Sequence, residues 1–149
     1  MNAQWVRQWV VALGQSEVKV RELQQRFGGE LRPQPPNQAE LSWKAGEAER
    51  AELVLAADHD PEATVVRATL ILRAQTGLTL GGLAEEFGRW EAVPEDREEP
   101  APAELISFGW LPGAAEGVQI LLRARVARPP GSASRVRSVI LVRSARAAR

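Results

Sequence analysis

Val18-Lys19-Val20-Arg21-Glu22-Leu23-Gln24-Gln25-Arg26-Phe27-Gly28 aligns without a gap on Leu78-Thr79-Leu80-Gly81-Gly82-Leu83-Ala84-Glu85-Glu86-Phe87-Gly88. Two further matches follow in the same order, Ala39-Glu40-Leu41 with Ala103-Glu104-Leu105 and residues 66–73 with residues 136–143. Because the offset of 60 to 70 residues (78 − 18 and 136 − 66) is too long for a solenoid repeat, the pattern predicts two copies of a small α+β unit. We place the copies at about 18–73 and 78–143 of a single 149-residue domain.

Apolar spacing predicts three helices. Trp5 and Trp9 lie on the apolar face of a helix predicted over residues 3–13, before the first copy. Each copy then opens with a short helix whose apolar stripe ends at a glycine, Gly28 in the first copy and Gly88 in the second. These helices would cover one face of whatever sheet the strands form.

Three strands are predicted to complete each copy. Their ranges are about 39–44, 50–58 and 63–73 in the first copy, and 103–110, 117–128 and 135–144 in the second. The proline-containing segments before each set are predicted to be loops or edges, because proline lacks the amide hydrogen that a central strand needs. The fold class is therefore α+β: a tandem αβββ-αβββ repeat with an extra N-terminal helix, forming a roughly six-stranded antiparallel sheet with helices on one face.

Composition narrows the function classes. The chain has no cysteine and no tyrosine, only one histidine and a formal net charge of zero. Disulfides, thiolate metal sites and cysteine nucleophiles are therefore excluded. No basic segment followed by an apolar core opens the chain, and no apolar run approaches the length of a membrane span, so we expect a cytoplasmic protein without a membrane segment.

The few candidates for chemistry have structural explanations. His59 between Asp58 and Asp60 would suit a general base or metal ligand, but the same residues are typical of a hairpin turn. Gly81-Gly82 at a helix start lacks the rest of any phosphate-binding motif. We therefore predict no catalytic residue, no metal site and no cofactor.

Alternation along the last strands predicts an exposed sheet face that mixes arginine with aliphatic residues. Its predicted members are Arg67, Arg73, Arg123, Arg125, Arg137, Arg143, Ile71, Leu121, Val139 and Leu141. Arginine is enriched at the anchoring positions of protein interfaces, so this face is the predicted interaction surface. Trp43 and Trp110 end the first predicted strand of each copy and could be either core residues or binding anchors.

Charge is unevenly distributed. Residues 85–116 carry nine acids against two arginines, a net of −7, whereas residues 117–149 carry eight arginines and no acid. Such asymmetry indicates either an interaction surface or an acidic segment lying against the basic strands of its own fold.

The sequence therefore predicts a non-catalytic protein-interaction module, such as an inhibitor, an immunity protein or a chaperone-like binder. The partner would be another protein or a second copy in a homodimer. The alternative is a regulatory domain that binds nucleic acid or a small anionic ligand through the same arginines. Nucleic acid is disfavoured because no aromatic residue is interleaved for base stacking.

Overall fold

The computed structural model describes residues 3–95 and 103–145, which form three helices and one open antiparallel sheet. The helices are α1 (Gln4–Leu13), α2 (Val20–Phe27) and α3 (Leu80–Phe87), where apolar spacing predicted them. The strands are β1 (Glu30–Gln34), β2 (Gln38–Ser42), β3 (Ala48–Leu55), β4 (Val65–Leu72), β5 (Glu91–Ala92), β6 (Ala103–Pro112), β7 (Val118–Ala127) and β8 (Val136–Ala145). The α+β class and the antiparallel sheet are confirmed.

The sheet has eight strands within the described residues, so the prediction of six is wrong. The strand order is β1-β2-β3-β4-β8-β7-β6-β5, which places the two additional strands, β1 and β5, at the edges. β1 contains Pro33, and β5 is only two residues long. Edge strands pair on one side only and therefore tolerate proline and short length, which is why alternation alone did not reveal them.

Two strands that lie far apart in the sequence, β4 and β8, pair at the centre of the sheet. Leu70 lies opposite Val139, and Ala68 lies opposite Leu141. Each is the last of the four strands that follow a helix, α2 for β4 and α3 for β8. In both halves of the chain, successive strands therefore lie progressively closer to the centre of the sheet.

The helices supply one side of a single hydrophobic core, and the sheet face beneath them supplies the other. We call this side of the sheet the inner face and the opposite side the outer face. The large side chains that are almost completely buried include Leu13, Leu23, Leu41, Leu53, Leu70, Leu80, Leu83, Ile120, Leu122 and Leu141. Each contributes about 1.5–3 kcal/mol on burial, which fixes the helices on the inner face.

A bulge in β8 reverses the predicted alternation of the last strand. Arg125 pairs with Ser138 and Val126 pairs with Val136, which leaves Arg137 unpaired between them. An extra residue shifts the following side chains to the opposite face of the sheet. Val139, Leu141 and Arg143 consequently lie on the inner face, at 0%, 0% and 8% exposure. The prediction that these three belong to an exposed face is wrong.

Candidate interaction surface

The outer face carries half of the predicted interaction surface. Residues paired across antiparallel strands share a face, so the strand registers define three rows of outward side chains over the centre of the sheet. Each row has one residue from each of the strands β3, β4, β8, β7 and β6, given in that order. The first row is Val54, Arg67, Val142, Leu121, Trp110, and the second is Glu52, Thr69, Ile140, Arg123, Ser107. The third row is Arg50, Ile71, Ser138, Arg125, Leu105. Five of the ten predicted residues, Arg67, Ile71, Leu121, Arg123 and Arg125, lie in these rows.

An aliphatic centre forms where β4, β8 and β7 adjoin. We define the outer patch as this centre with its flanking arginines and tryptophan: Arg67, Ile71, Trp110, Leu121, Arg123, Ile140 and Val142. The four aliphatic side chains are half-buried, and no helix covers them among the described residues. Ile140 and Val142 were not predicted here, because the bulge at Arg137 leaves no distinct mark in the sequence.

Two arginines of the outer patch carry charge without a counterion among the described residues. Within residues 3–95 and 103–145, neither Arg67 nor Arg123 makes an ion pair, and Nε of Arg123 is buried without a hydrogen-bond acceptor. Their positions differ by two strands and by two residues along the strand, which separates their Cα atoms by about 12 Å. A partner that binds here can therefore supply two separate anionic groups to them.

Arg125, in contrast, is already neutralised. Its Nη2 and Nη1 atoms bind the Glu95 carboxylate at 2.8 and 3.3 Å, and Arg128 binds Glu104 at 2.8 Å. Two acids of the described part of the acidic segment, Glu95 and Glu104, thus lie against β7 and the residue that follows it. The rest of the predicted acidic run, residues 96–102, lies outside the described residues.

The two tryptophans in question have different environments. Trp43 packs against α1, where its ring lies edge-on to Trp9 with centroids 6.1 Å apart. Trp110 points to the outer face and is 49% exposed. Trp110 faces outwards because a bulge at Phe108 shifts the residues after it to the opposite face of β6. The glycine that follows, Gly109, adopts φ +81°, and a glycine within a strand is the sequence signal that could have indicated the bulge.

Arg143 has a structural role on the inner face. Its guanidinium donates hydrogen bonds to the main-chain oxygens of Leu13 (3.1 Å), the last residue of α1, and of Gln15 (2.8 Å) and Ser16 (2.7 Å) just beyond it. Burial lowers the pKa of Arg143, and the negative charge of Glu17 partly opposes that change. Arg143 therefore fastens the end of α1 to the last strand and is not available to a partner.

The two remaining predicted arginines lie beside the outer patch rather than in it. Arg137 is the exposed residue of the β8 bulge. Arg73 follows β4, and its Nη2 donates a hydrogen bond to the main-chain oxygen of Trp43, so it supports the end of the sheet.

A separate cleft of about 500 Å³ lies between the start of α2, β1 and the β3–β4 turn. Leu31, Leu55 and the prolines at 33, 35, 36 and 61 contribute to its lining. His59 is on its rim, at φ +57°, and its backbone N–H donates to Pro36. Glu62 on the same rim is bound by Lys19 and Arg21, at 3.4 and 3.2 Å, so these rim charges satisfy one another.

The described residues offer few other elements of recognisable chemistry. Within residues 3–95 and 103–145, no three histidine or carboxylate side chains are grouped so that they could hold a metal ion. In the same ranges, no helix has the length and apolar character needed to cross a bilayer. Comparison with protein-family models, with curated proteins and with solved structures gave no match.

Proposed function

We propose that this protein is a non-catalytic interaction module that binds an acidic partner protein through the outer patch. The proposal rests on an aliphatic surface that ends at an exposed tryptophan and that, within the described residues, no helix covers and two arginines without an ion pair flank. Tryptophan and arginine are the residue types most enriched among energetic anchors of protein interfaces. Seven residues are fewer than a complete interface uses, so the outer patch would be its centre.

The chemistry of the outer patch defines the partner. Ile71, Leu121, Ile140 and Val142 require apolar side chains opposite them, while Arg67 and Arg123 each require a carboxylate. Desolvating a guanidinium without a counterion is unfavourable, so a partner without acids would be rejected. The proposed partner is thus a protein surface with an apolar centre and two flanking carboxylates.

We further infer that the two halves of the sheet derive from one duplicated unit and have since diverged on the outer face. Support comes from the aligned segments and from the strand order, in which each half runs from an edge to the centre. The outward residues of β3 are Arg50, Glu52 and Val54, whereas those of the corresponding β7 include Leu121 and Arg123. In this proposal β3 keeps a mixed-charge face, whereas β4 of the first half and β6, β7 and β8 of the second half carry the binding residues.

Photo-crosslinking in the native host tests the proposal. A benzophenone amino acid at Val142, in the outer patch, should give a specific protein adduct, whereas the same group at Gln34, on the outer face of β1, should not. Mass spectrometry identifies the adduct, and calorimetry with the purified partner then measures affinity. The double variant Arg67→Glu, Arg123→Glu and the single variant Trp110→Ala should each weaken binding at least about tenfold, as anchor residues do.

A matched control separates the outer patch from net charge. The double variant Arg32→Glu, Arg89→Glu makes the same change of charge at exposed sites away from the outer patch and should bind as the wild type does. The proposal fails if the control loses binding equally, or if Val142 crosslinks nucleic acid. It also fails if the adduct is a second copy of this chain, which analytical ultracentrifugation would reveal as a dimer disrupted by Trp110→Ala.

A further inference from the structure

An aromatic pocket lies on the other side of the sheet, where α1, the end of α2 and the turn between β2 and β3 adjoin. Three tryptophans and a phenylalanine dominate its lining. Its lining residues are Trp5, Gln8, Trp9, Phe27, Trp43, Ala45, Gly46, Glu47 and Ala48. We call it the aromatic pocket; it shares no residue with the outer patch.

Ring packing fixes one wall of the aromatic pocket. Trp9 stacks on Phe27 with centroids 4.0 Å apart and an interplanar angle of 6°. Trp43 meets Trp9 edge-on, and its Nε1 donates a hydrogen bond of 3.0 Å to the Phe27 main-chain oxygen. Nε1 of Trp5 is buried without an acceptor, so packing alone orients that ring. The pocket thus combines a rigid aromatic wall with one ring free of hydrogen-bond constraint.

The charge of the lining is negative. Of the described residues that line it, Glu47 is the one that is ionisable, and none is an arginine or a lysine. Arginine does approach the same aromatic cluster from elsewhere, since the Arg26 guanidinium lies 5.8 Å from the Phe27 ring centroid. Aromatic faces attract cations through their quadrupole, and a nearby carboxylate adds to that attraction.

We propose that the aromatic pocket binds a trimethylammonium group. Its volume of about 220 Å³ is below the range of pockets that hold drug-sized ligands, so it fits a head group rather than a whole cofactor. A primary ammonium needs up to three hydrogen-bond acceptors, whereas a trimethylammonium needs none and spreads its charge over methyl groups that contact ring faces. Four aromatic rings line the pocket, and Gln8 and Glu47 are its side-chain acceptors, a combination of ring faces and one carboxylate that suits an alkylated cation.

The test uses choline and Nε-trimethyllysine as probes and follows the indole N–H signals of the uniformly ¹⁵N-labelled protein by NMR. The signals of Trp5 and Trp43 should shift saturably with either probe, and those of Trp90 and Trp110 should not. The neutral analogue 3,3-dimethylbutan-1-ol, which has the same shape without the charge, should bind at least about fivefold more weakly. The ratio of the two cationic affinities would distinguish a lipid-type head group from a methylated side chain.

Two variants and their controls complete the test. Glu47→Gln should weaken choline binding about two- to fivefold, whereas Glu49→Gln, at the start of β3 and outside the pocket lining, should have no effect. Trp5→Leu should abolish the shifts of Trp43, whereas Trp110→Leu should preserve them. Equal binding of the neutral analogue, equal shifts at all indoles, or an unchanged affinity in Glu47→Gln would overturn the proposal. Loss of partner binding at the outer patch would leave these results unchanged, so the two proposals fail separately.

Discussion

Arginine is a residue type typical of binding surfaces, but Arg143 stabilises the fold by holding the end of α1 against β8. Its guanidinium is 8% exposed and satisfies three main-chain oxygens at the end of α1 and just beyond it. Without it, those carbonyls would lose charge-assisted donors, which cost more to lose than neutral hydrogen bonds. The buried charge is tolerated because three acceptors face it.

Replacing Arg143 should therefore be destructive for the fold. Arg143→Met should lower the free energy of unfolding by about 2–4 kcal/mol, since three acceptors are left unpaired. Arg143→Lys should recover only part of that loss, because a compact ammonium cannot span all three oxygens. Urea unfolding measures both, and the exposed Arg137→Met is the control, expected within about 0.5 kcal/mol of the wild type. If Arg143→Met and Arg137→Met lowered the free energy of unfolding equally, Arg143 would not have the structural role proposed for it.

Gly29 sets the position of Trp43. It has φ +97°, and a Cβ there would lie 2.7 Å from Trp43 Nε1 and 2.8 Å from the Ser42 oxygen. Gly29→Ala should cost about 2–4 kcal/mol, because backbone strain of 1–3 kcal/mol is joined by a steric clash. Gly46→Ala, at φ +106° with open space around it, should show the strain alone. Thermal unfolding and Trp43 fluorescence measure the two variants, and equal costs would show that the clash relaxes freely.

At the scale of elements, the helices begin in different ways. Thr79 caps α3, since its Oγ1 accepts a hydrogen bond of 3.2 Å from the Gly82 amide. The residue at the same place before α2 is Lys19, whose side chain makes no cap. The start of α3 therefore depends on a specific side chain, and the start of α2 does not.

Removing the cap of α3 should be measurable. Thr79→Ala should destabilise the protein by about 1 kcal/mol, and Thr79→Ser should retain most of that stability because serine caps equally well. Lys19→Ala should cost less than Thr79→Ala, because only a partly exposed ion pair with Glu62 is lost. The comparison uses the urea concentrations at the midpoint of unfolding, provided that the dependence of the unfolding free energy on urea concentration is the same in all variants. Equal losses for Ala and Ser at position 79 would refute the capping role.

Elements with long periodic patterns were predictable from the sequence, and irregular ones were not. The spacing of Trp5 and Trp9 and the stops at Gly28 and Gly88 correctly predicted the helices. The edge strands β1 and β5 were missed because one holds a proline and the other is two residues long. Three of the ten residues of the predicted interaction face, Val139, Leu141 and Arg143, were misplaced because of the bulge at Arg137, since strand alternation assumes an uninterrupted pleat.

On the scale of the whole molecule, the central pairing of β4 with β8 joins the two halves into one core. Ala68, Leu70, Val139 and Leu141 meet there, and all four are 0% exposed. Opening this pairing would expose apolar surface from both halves at once. The halves are therefore expected to unfold together.

Two tryptophans in different halves can report this coupling. Variants that retain only Trp43 or only Trp110 should give coincident urea transitions by fluorescence, as a two-state domain requires. The circular-dichroism transition measured on each variant corrects for any change in its stability. If the Trp43 and Trp110 signals changed at different urea concentrations relative to circular dichroism, each half would have its own independent core.

The inward order of the strands has a consequence for synthesis on the ribosome. β4 emerges early and presents the apolar run Val65–Leu72 with one edge unpaired until β8 has been translated, after residues 73–135. An exposed apolar strand edge on a nascent chain is a template for misassociation. The nascent chain should therefore need protection by a chaperone during that interval. The need ends when β8, the last strand to leave the ribosomal tunnel, pairs with the free edge of β4.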